Sequence, residues 1–266
     1  LVFVIAIVAI IIYTFRDSAG PILKELSTTA PWVVITICGA GVMYNVVEGW
    51  INYSFAKQYN PQFTYRMGVE SAFYCSFYRV ATLGSGAGVA AVYYFNEKGI
   101  PVFQGTGMYM VEYAIHKVTI AIFSIIFFLL NFGFMKEHYS EYFNLLIAGY
   151  VLTAVIATAL LLFCCSKKFH GILLFLVDKL NRKGKFDAQA AMLREQCGIL
   201  EDAAGMLLTK GKLIASIVAK NLLKFAFCYG IPFVILYREY GLTLLQSWAV
   251  TSLAFMLAAV IPSPAG

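Results

Sequence analysis

Charge is scarce in this chain. Only 13% of its 266 residues are Asp, Glu, Lys or Arg, while 61% are hydrophobic, and the mean hydropathy is +0.76. A soluble domain does not need that much apolar surface to fill a core, so the shortage of charge places the chain among integral membrane proteins. Histidine is scarcer still, with His116, His138 and His170 alone, and the six cysteines include no C-x-x-C pair. A metal site needs such ligands at fixed spacing, so no metal is expected and the cysteines read as packing residues. The run GSGAG at Gly84 to Gly88 lacks the lysine and the spacing of a nucleotide-binding loop. No nucleophile–base pair or pair of catalytic carboxylates stands out either. Neither a cofactor nor catalytic residues are expected in this chain, and any pumping has to draw on an ion gradient or run downhill.

What charge there is has a pattern. The net charge of +6 is concentrated in residues 166–212, with nine Lys or Arg against five Asp or Glu. Such a bias marks a cytoplasmic segment rather than a nucleic-acid surface, so no nucleic-acid partner is expected. Aromatic residues reach 16% and gather near the ends of apolar runs, where interfacial belts form. Apolar runs over 1–15, 31–55, 105–134, 142–165 and 213–237 read as spanning helices, with Pro31 harmless in a first turn. Residues 166–212 read as two surface-lying amphipathic helices that cap the bundle and touch anionic lipid. The chain opens on Leu1 within an apolar run and closes on Gly266 within a motif, so a single domain cut at both ends is expected.

Two interruptions organise the rest. Thr82 to Pro101, TLGSGAGVAAVYYFNEKGIP, breaks an apolar helix with three glycines in five residues, and Val260 to Gly266, VIPSPAG, breaks the last one with two prolines. In hydrocarbon, non-helical backbone survives only where it is buried in protein or lines a wet cavity, so broken helices point to a transport site. The loops 56–65 and 96–104 both read as cytoplasmic, which makes the first broken element a re-entrant hairpin. The expected fold is an all-α polytopic membrane bundle with two broken or re-entrant helices, arranged as an inverted repeat if the second break enters from outside.

TLGSGAGVAAVYYFNEKGIP followed by GTGMYMVEYAIHK resembles the first signature of the lysylphosphatidylglycerol synthase transmembrane-region family, the flippase-like domain of bacterial multiple-peptide-resistance factors, and IPSPAG resembles its second. The resemblance covers nearly the whole chain in segment order. It implies a multi-pass protein of the bacterial cytoplasmic membrane that moves aminoacylated phosphatidylglycerol, such as the lysyl lipid, between leaflets. It also implies, in full-length relatives, a cytosolic aminoacyltransferase domain that makes that lipid. Two further readings stay open: the membrane part of a phosphatidylglycerol lysyltransferase that presents lipid to a separate catalytic domain, and an ion-coupled transporter of a small solute. Partners expected are phospholipid, the membrane itself, an attached or separate aminoacyltransferase domain and, as an open alternative, a second copy of the chain.

Ionisable residues inside a span cost about 2.5–3.5 kcal/mol each at a helix centre, which makes them functional candidates by default. Arg79, just before the glycine break, is placed to fork onto a lipid phosphate, with the backbone at Gly84, Ser85, Gly86 and Gly88 offering free amides and a positive helix end. Lys220 and Lys224 repel at i, i+4 unless an anion sits opposite, and a phosphate meets that need. Glu70 and Glu112 are available for a cationic head group, with His116 and Lys117 as neighbours of Glu112. Pro262, Ser263, Pro264 and Gly266 complete the candidate site. Against this stand plainer readings: Glu70, Arg66 and Lys57 snorkelling, Glu48 sitting near a helix end, Lys117 and Glu112 as a structural ion pair, and Gly39 and Gly41 as close-packing contacts.

Overall fold

The computed structural model describes residues 19–82, 86–180 and 187–258. Within them the backbone is α-helix joined by turns, with one 3-10 turn and no strand. The protein is a membrane helix bundle. Four stretches are long and apolar enough to cross a bilayer, Pro31–Ala56, Val102–Leu130, Phe132–Ala159 and Gly211–Tyr237. The expected first span over residues 1–15 lies outside the described residues.

In chain order the helices are α1 (Ala19–Thr28), α2 (Pro31–Ala56), α3 (Tyr65–Ala81), α4 (Ala87–Glu97), α5 (Val102–Leu130), α6 (Phe132–Tyr139), α7 (Phe143–Cys165), α8 (Lys167–Leu180), α9 (Asp187–Leu208), α10 (Gly211–Tyr229), α11 (Ile231–Tyr240) and α12 (Leu244–Ala258). Pro31 sits in the first turn of α2 as its chemistry dictates. Thr64 caps α3, its hydroxyl accepting from the Met67 amide at 3.3 Å.

The α3–α4 element is a hairpin. The Tyr94 hydroxyl donates to Glu70 Oε2 at 3.1 Å and the Tyr74 and Tyr94 rings lie 5.7 Å apart, so the two helices run antiparallel. Their outer ends meet: Asn60 Nδ2 donates to the Lys98 carbonyl at 2.8 Å, beside Gly99, whose φ of +82° favours glycine. Loops 56–65 and 96–104 therefore share one end of the bundle, as a re-entrant hairpin requires. The third expected cytoplasmic segment arrives at the same end, where the Tyr59 hydroxyl donates to the Ala203 carbonyl at 2.7 Å and Lys210 Nζ donates to Gln58 Oε1 at 2.7 Å. Burial in this junction raises the Tyr59 phenol above its ordinary pKa.

Four expectations change. Helix α9 does not merely lie on the surface. Its Ala204 and Leu207 are fully buried in the main apolar cluster with Phe55, Phe95 and Ile217, and Gly107 of α5 makes room for Leu200 and Ala203. On α8, by contrast, Phe169 and Ile172 stay exposed as a surface-lying helix would leave them. The expected span 105–134 divides at Asn131, whose amide group reaches the carbonyls of Phe127 and Leu245, and α6 starts within it and runs past its expected end. The expected span 213–237 is also two helices, parted at Gly230, with Pro232 in the first turn of α11. Finally, among the described residues nothing lies within 4 Å of a side chain built at Gly39 or Gly41, and the close α2–α3 approach is made instead at Gly49 and Gly68, each against the other helix's backbone.

The break between α3 and α4 is bridged by one side chain. The Thr82 hydroxyl donates to the Tyr78 carbonyl at 2.6 Å and accepts from the Gly86 amide at 2.6 Å. A second hydroxyl bridges the break at Gly230, where Ser247 of α12 donates to the Tyr229 carbonyl at 2.8 Å and accepts from the Phe233 amide at 3.1 Å. Both satisfy backbone groups that water cannot reach in a membrane interior. The proline break expected at 260–266, and with it the inverted pairing of two broken elements, falls outside the described residues.

Candidate functional site

Between the two described breaks lies a polar interior. A cavity of about 280 Å³ is lined by Glu48 of α2, Arg79 of α3, and Glu112, His116 and Lys117 of α5. A second, of about 340 Å³, shares Tyr44, Arg79 and His116 with it and extends to Tyr229 and Ile231, the two sides of the Gly230 break. Ala87, the first residue after the glycine break, closes the other side. Helix ends on either side of the two breaks thus reach the wall of a cavity, the environment in which a membrane tolerates interrupted helices.

Lys224 reaches this interior from α10. It is fully buried, pairs with Glu48, and donates to His116 Nδ1 at 3.1 Å. An ammonium has only donors, so Nδ1 must accept and the ring is the neutral Nε2–H tautomer. The His116 ring is held parallel to Tyr113, with centroids 6.5 Å apart, and edge-on to Phe225 at 5.0 Å. Tyr44 and Phe225 present their rings to the Lys224 ammonium at 5.2 and 5.4 Å, a contact that favours a desolvated cation. Breaking such a buried pair from one side leaves an uncompensated charge, which is why each member is held so closely.

Glu112 is different. It is 7% exposed, lines the cavity with Glu48, and makes no ion pair within 4.0 Å among the described residues. Arg79 and Lys117 make no ion pair within 4.0 Å among the described residues; Lys117 instead lies over the Tyr113 ring at 5.1 Å, and Arg79 is close to the Tyr44 hydroxyl. The lining therefore sets two cations, Arg79 and Lys117, neither committed to a carboxylate among the described residues, against Glu48 and Glu112, with Lys224 behind them paired to Glu48. This suits an anion.

A third opening is apolar. A groove of about 540 Å³ runs between α4 and α5 along Gly88, Val89, Val92 and Tyr93, and it meets the charged cavity at Tyr109 and Tyr113, which line both. Gly88 is needed there, since a Cβ would come to 2.9 Å from the Tyr109 ring. Val89 and Tyr93 are mostly exposed, so the groove opens on the outer surface of the hairpin.

The sequence-derived candidates divide accordingly. Arg79, Glu112, His116 and Lys117 line the cavity, with Lys224 behind them, and Gly88 lines the groove. Gly86 adjoins the cavity, but its amide is taken by Thr82 and is not free for a phosphate. Glu70 lies elsewhere, half exposed in an i, i+4 pair with Arg66 at 2.8 Å. Lys220 turns to α2, where it donates to Ser54 at 2.6 Å over the Trp50 ring, so the two lysines do not face one anion together. Among the described residues no Lys117–Glu112 ion pair forms. Gly84, Ser85, Pro262, Ser263, Pro264 and Gly266 lie outside the described residues. Sequence reasoning weighed Glu48 and set it aside, because its position near the end of α2 reads as interfacial. It also missed Tyr109 and Tyr113, although these fall on the His116 face at helical spacing, and Thr82, one turn before Gly86.

Among the described residues no group of His, Cys, Asp or Glu is arranged to hold a metal ion. Compared with known protein families, characterised proteins and solved structures, the chain matches none.

Proposed function

We propose that this chain is a flippase-like lipid translocase of the lysylphosphatidylglycerol synthase transmembrane-region family, moving aminoacylated phosphatidylglycerol between leaflets of a bacterial cytoplasmic membrane. The observation that carries this reading is the continuity, at Tyr109 and Tyr113, of a charged cavity with an exposed apolar groove. An amphiphile needs both halves. Its phosphate matches the uncommitted Arg79 and Lys117 through charge-assisted hydrogen bonds, a cationic head group matches Glu112, and an acyl chain matches the wall of Val89, Val92 and Tyr93. The groove volume falls in the range of about 300–1,000 Å³ usual for ligand sites. A transporter of small solutes would need the cavity but not the groove.

A leaflet-resolved assay of lysyl-phosphatidylglycerol in liposomes containing the protein tests the reading. Wild type should equilibrate the lipid between leaflets, and Arg79→Gln should slow this by about 10- to 100-fold, as the loss of a charged hydrogen bond of about 1.5–3 kcal/mol implies. Because the phosphate is common to all such lipids, unmodified phosphatidylglycerol should be slowed as much. Lipid that stays in its original leaflet with wild-type protein would leave the presentation of lipid to a separate synthase domain as the better account.

A further inference from the structure

Lys210 and Lys220 meet on a second polar seam, between α2 and α10. The two helices run antiparallel: Lys224 pairs with Glu48, Lys220 lies over the Trp50 ring at 4.5 Å, and Lys210, just before α10, bonds Gln58, just after α2. The seam therefore leads up to the end of the bundle where the three loops gather. Two acceptors one helical turn apart line it there. Ser54 Oγ accepts from Lys220 Nζ at 2.6 Å and Gln58 Oε1 accepts from Lys210 Nζ at 2.7 Å, while Gln58 Nε2 donates to the Ser54 carbonyl at 3.1 Å and ties the two together. Lys220 belongs to the middle of α10, whereas Ser54 lies in the last turn of α2. The lysine stem thus runs toward the loop end and carries its ammonium with it, as long cationic side chains do near a membrane surface.

These contacts are with neutral groups. A hydroxyl, an amide and an indole ring each stabilise an ammonium, but none cancels its charge, and two like charges brought this close repel. Lys57, exposed on the Trp50 and Ser54 face of α2, adds to the positive potential. Beside the lysines the wall is apolar, with Trp50 44% and Leu223 43% exposed. An indole with lysines on its loop side is the arrangement of a membrane interface. We propose that this seam binds one anionic phospholipid of the adjoining leaflet, its phosphate between Lys210 and Lys220 and its chains over Trp50 and Leu223. Basic pockets between membrane helices take anionic head groups in this way. A free phosphate would match the lysines and leave the indole and the leucine uncovered. The site is separate from the charged cavity, since Lys224, one turn along α10 from Lys220, turns to Glu48 and His116 instead. Nor does it depend on the lipid-translocase reading, because a lipid held here braces α2 against α10 without crossing the membrane.

Quenching of Trp50 by phospholipids with brominated chains reads the site, the share of that indole being the difference between wild type and Trp50→Phe. In phosphatidylcholine vesicles, brominated phosphatidylglycerol should quench Trp50 at a lower lipid fraction than brominated phosphatidylcholine of the same chains, each lysine contributing about 5-fold to the preference. Lys210→Gln and Lys220→Gln should each remove that share, and Lys220→Arg should retain it. Lys210 lies outside the helices and is exposed, so its variant decides if Lys220→Gln fails to fold. Equal quenching by the two lipids in wild type, or a preference unchanged in both glutamine variants, overturns the proposal. A preference lost in Arg79→Gln but kept in the lysine variants does so too, by placing the lipid in the cavity. Inorganic phosphate at constant ionic strength should leave the quenching as it is; recovery of Trp50 emission would make the seam a site for free anions and refute the lipid.

Discussion

The two described helix breaks solve one problem in opposite ways. Between α3 and α4 the chain supplies its own remedy: Thr82, just past the end of α3, bonds the Tyr78 carbonyl behind it and the Gly86 amide ahead. At Gly230 the remedy comes from another helix, since Ser247 of α12 bonds the Tyr229 carbonyl and the Phe233 amide from 18 and 14 residues away. The first break can therefore form as soon as its own segment folds. The second exists only once α12 has docked. Glycines announce the first, while the second has a single Gly230 and a proline in a position that any helix start tolerates.

The largest effect is expected between the breaks rather than at either. Lys224→Met strips Glu48 of its cation and should cost about 3–5 kcal/mol, seen as a lowered unfolding midpoint in detergent, whereas adding Glu48→Gln to it should recover most of the loss. A double variant as unstable as the single one would mean that Lys224 contributes packing, not charge. Next comes Ser247→Ala, which leaves two buried backbone groups at Gly230 unpaired at about 1–3 kcal/mol each. Thr82→Val removes the same number of bonds at a less buried site, so the midpoint should fall by less, with Thr82→Ser close to wild type. Equal losses at Thr82 and Ser247 would erase the contrast between local and borrowed remedies. The smallest effect belongs to Pro232→Ala, under about 1 kcal/mol, because the missing amide hydrogen of a first-turn proline is unneeded. If that change matched Ser247→Ala, the proline and not the serine would set the second break.

The exposed pair of Arg66 and Glu70 gives a baseline for these numbers. It has good geometry at 2.8 Å, yet its side chains are 89% and 45% exposed, and such pairs contribute well under about 1 kcal/mol. Glu70→Gln should therefore leave both stability and lipid transfer nearly unchanged. The same chemistry at Lys224 and Glu48, with the ammonium fully buried, carries the larger effect because burial removes the water that screens it.

The sequence by itself determined the class of the molecule and the course of its chain. Hydropathy located the spans, the run of glycines located the first break, and the basic bias of 166–212 led to one shared end for the three loops that meet at Asn60, Lys98 and Ala203. It also singled out Arg79, Glu112, His116 and Lys224 as costly ionisable residues, since the expense of charge in a membrane depends on composition along the chain. What it left open was partnership. Lys224 and Glu48 are 176 residues apart, Ser247 and the Gly230 break belong to different helices, and Lys220 and Lys224 share a helix face but not a partner. Only the tertiary structure decided these, because a hydrogen bond or ion pair depends on a few ångströms in three dimensions, and periodicity along one helix fixes a direction without saying which residue of another helix lies there.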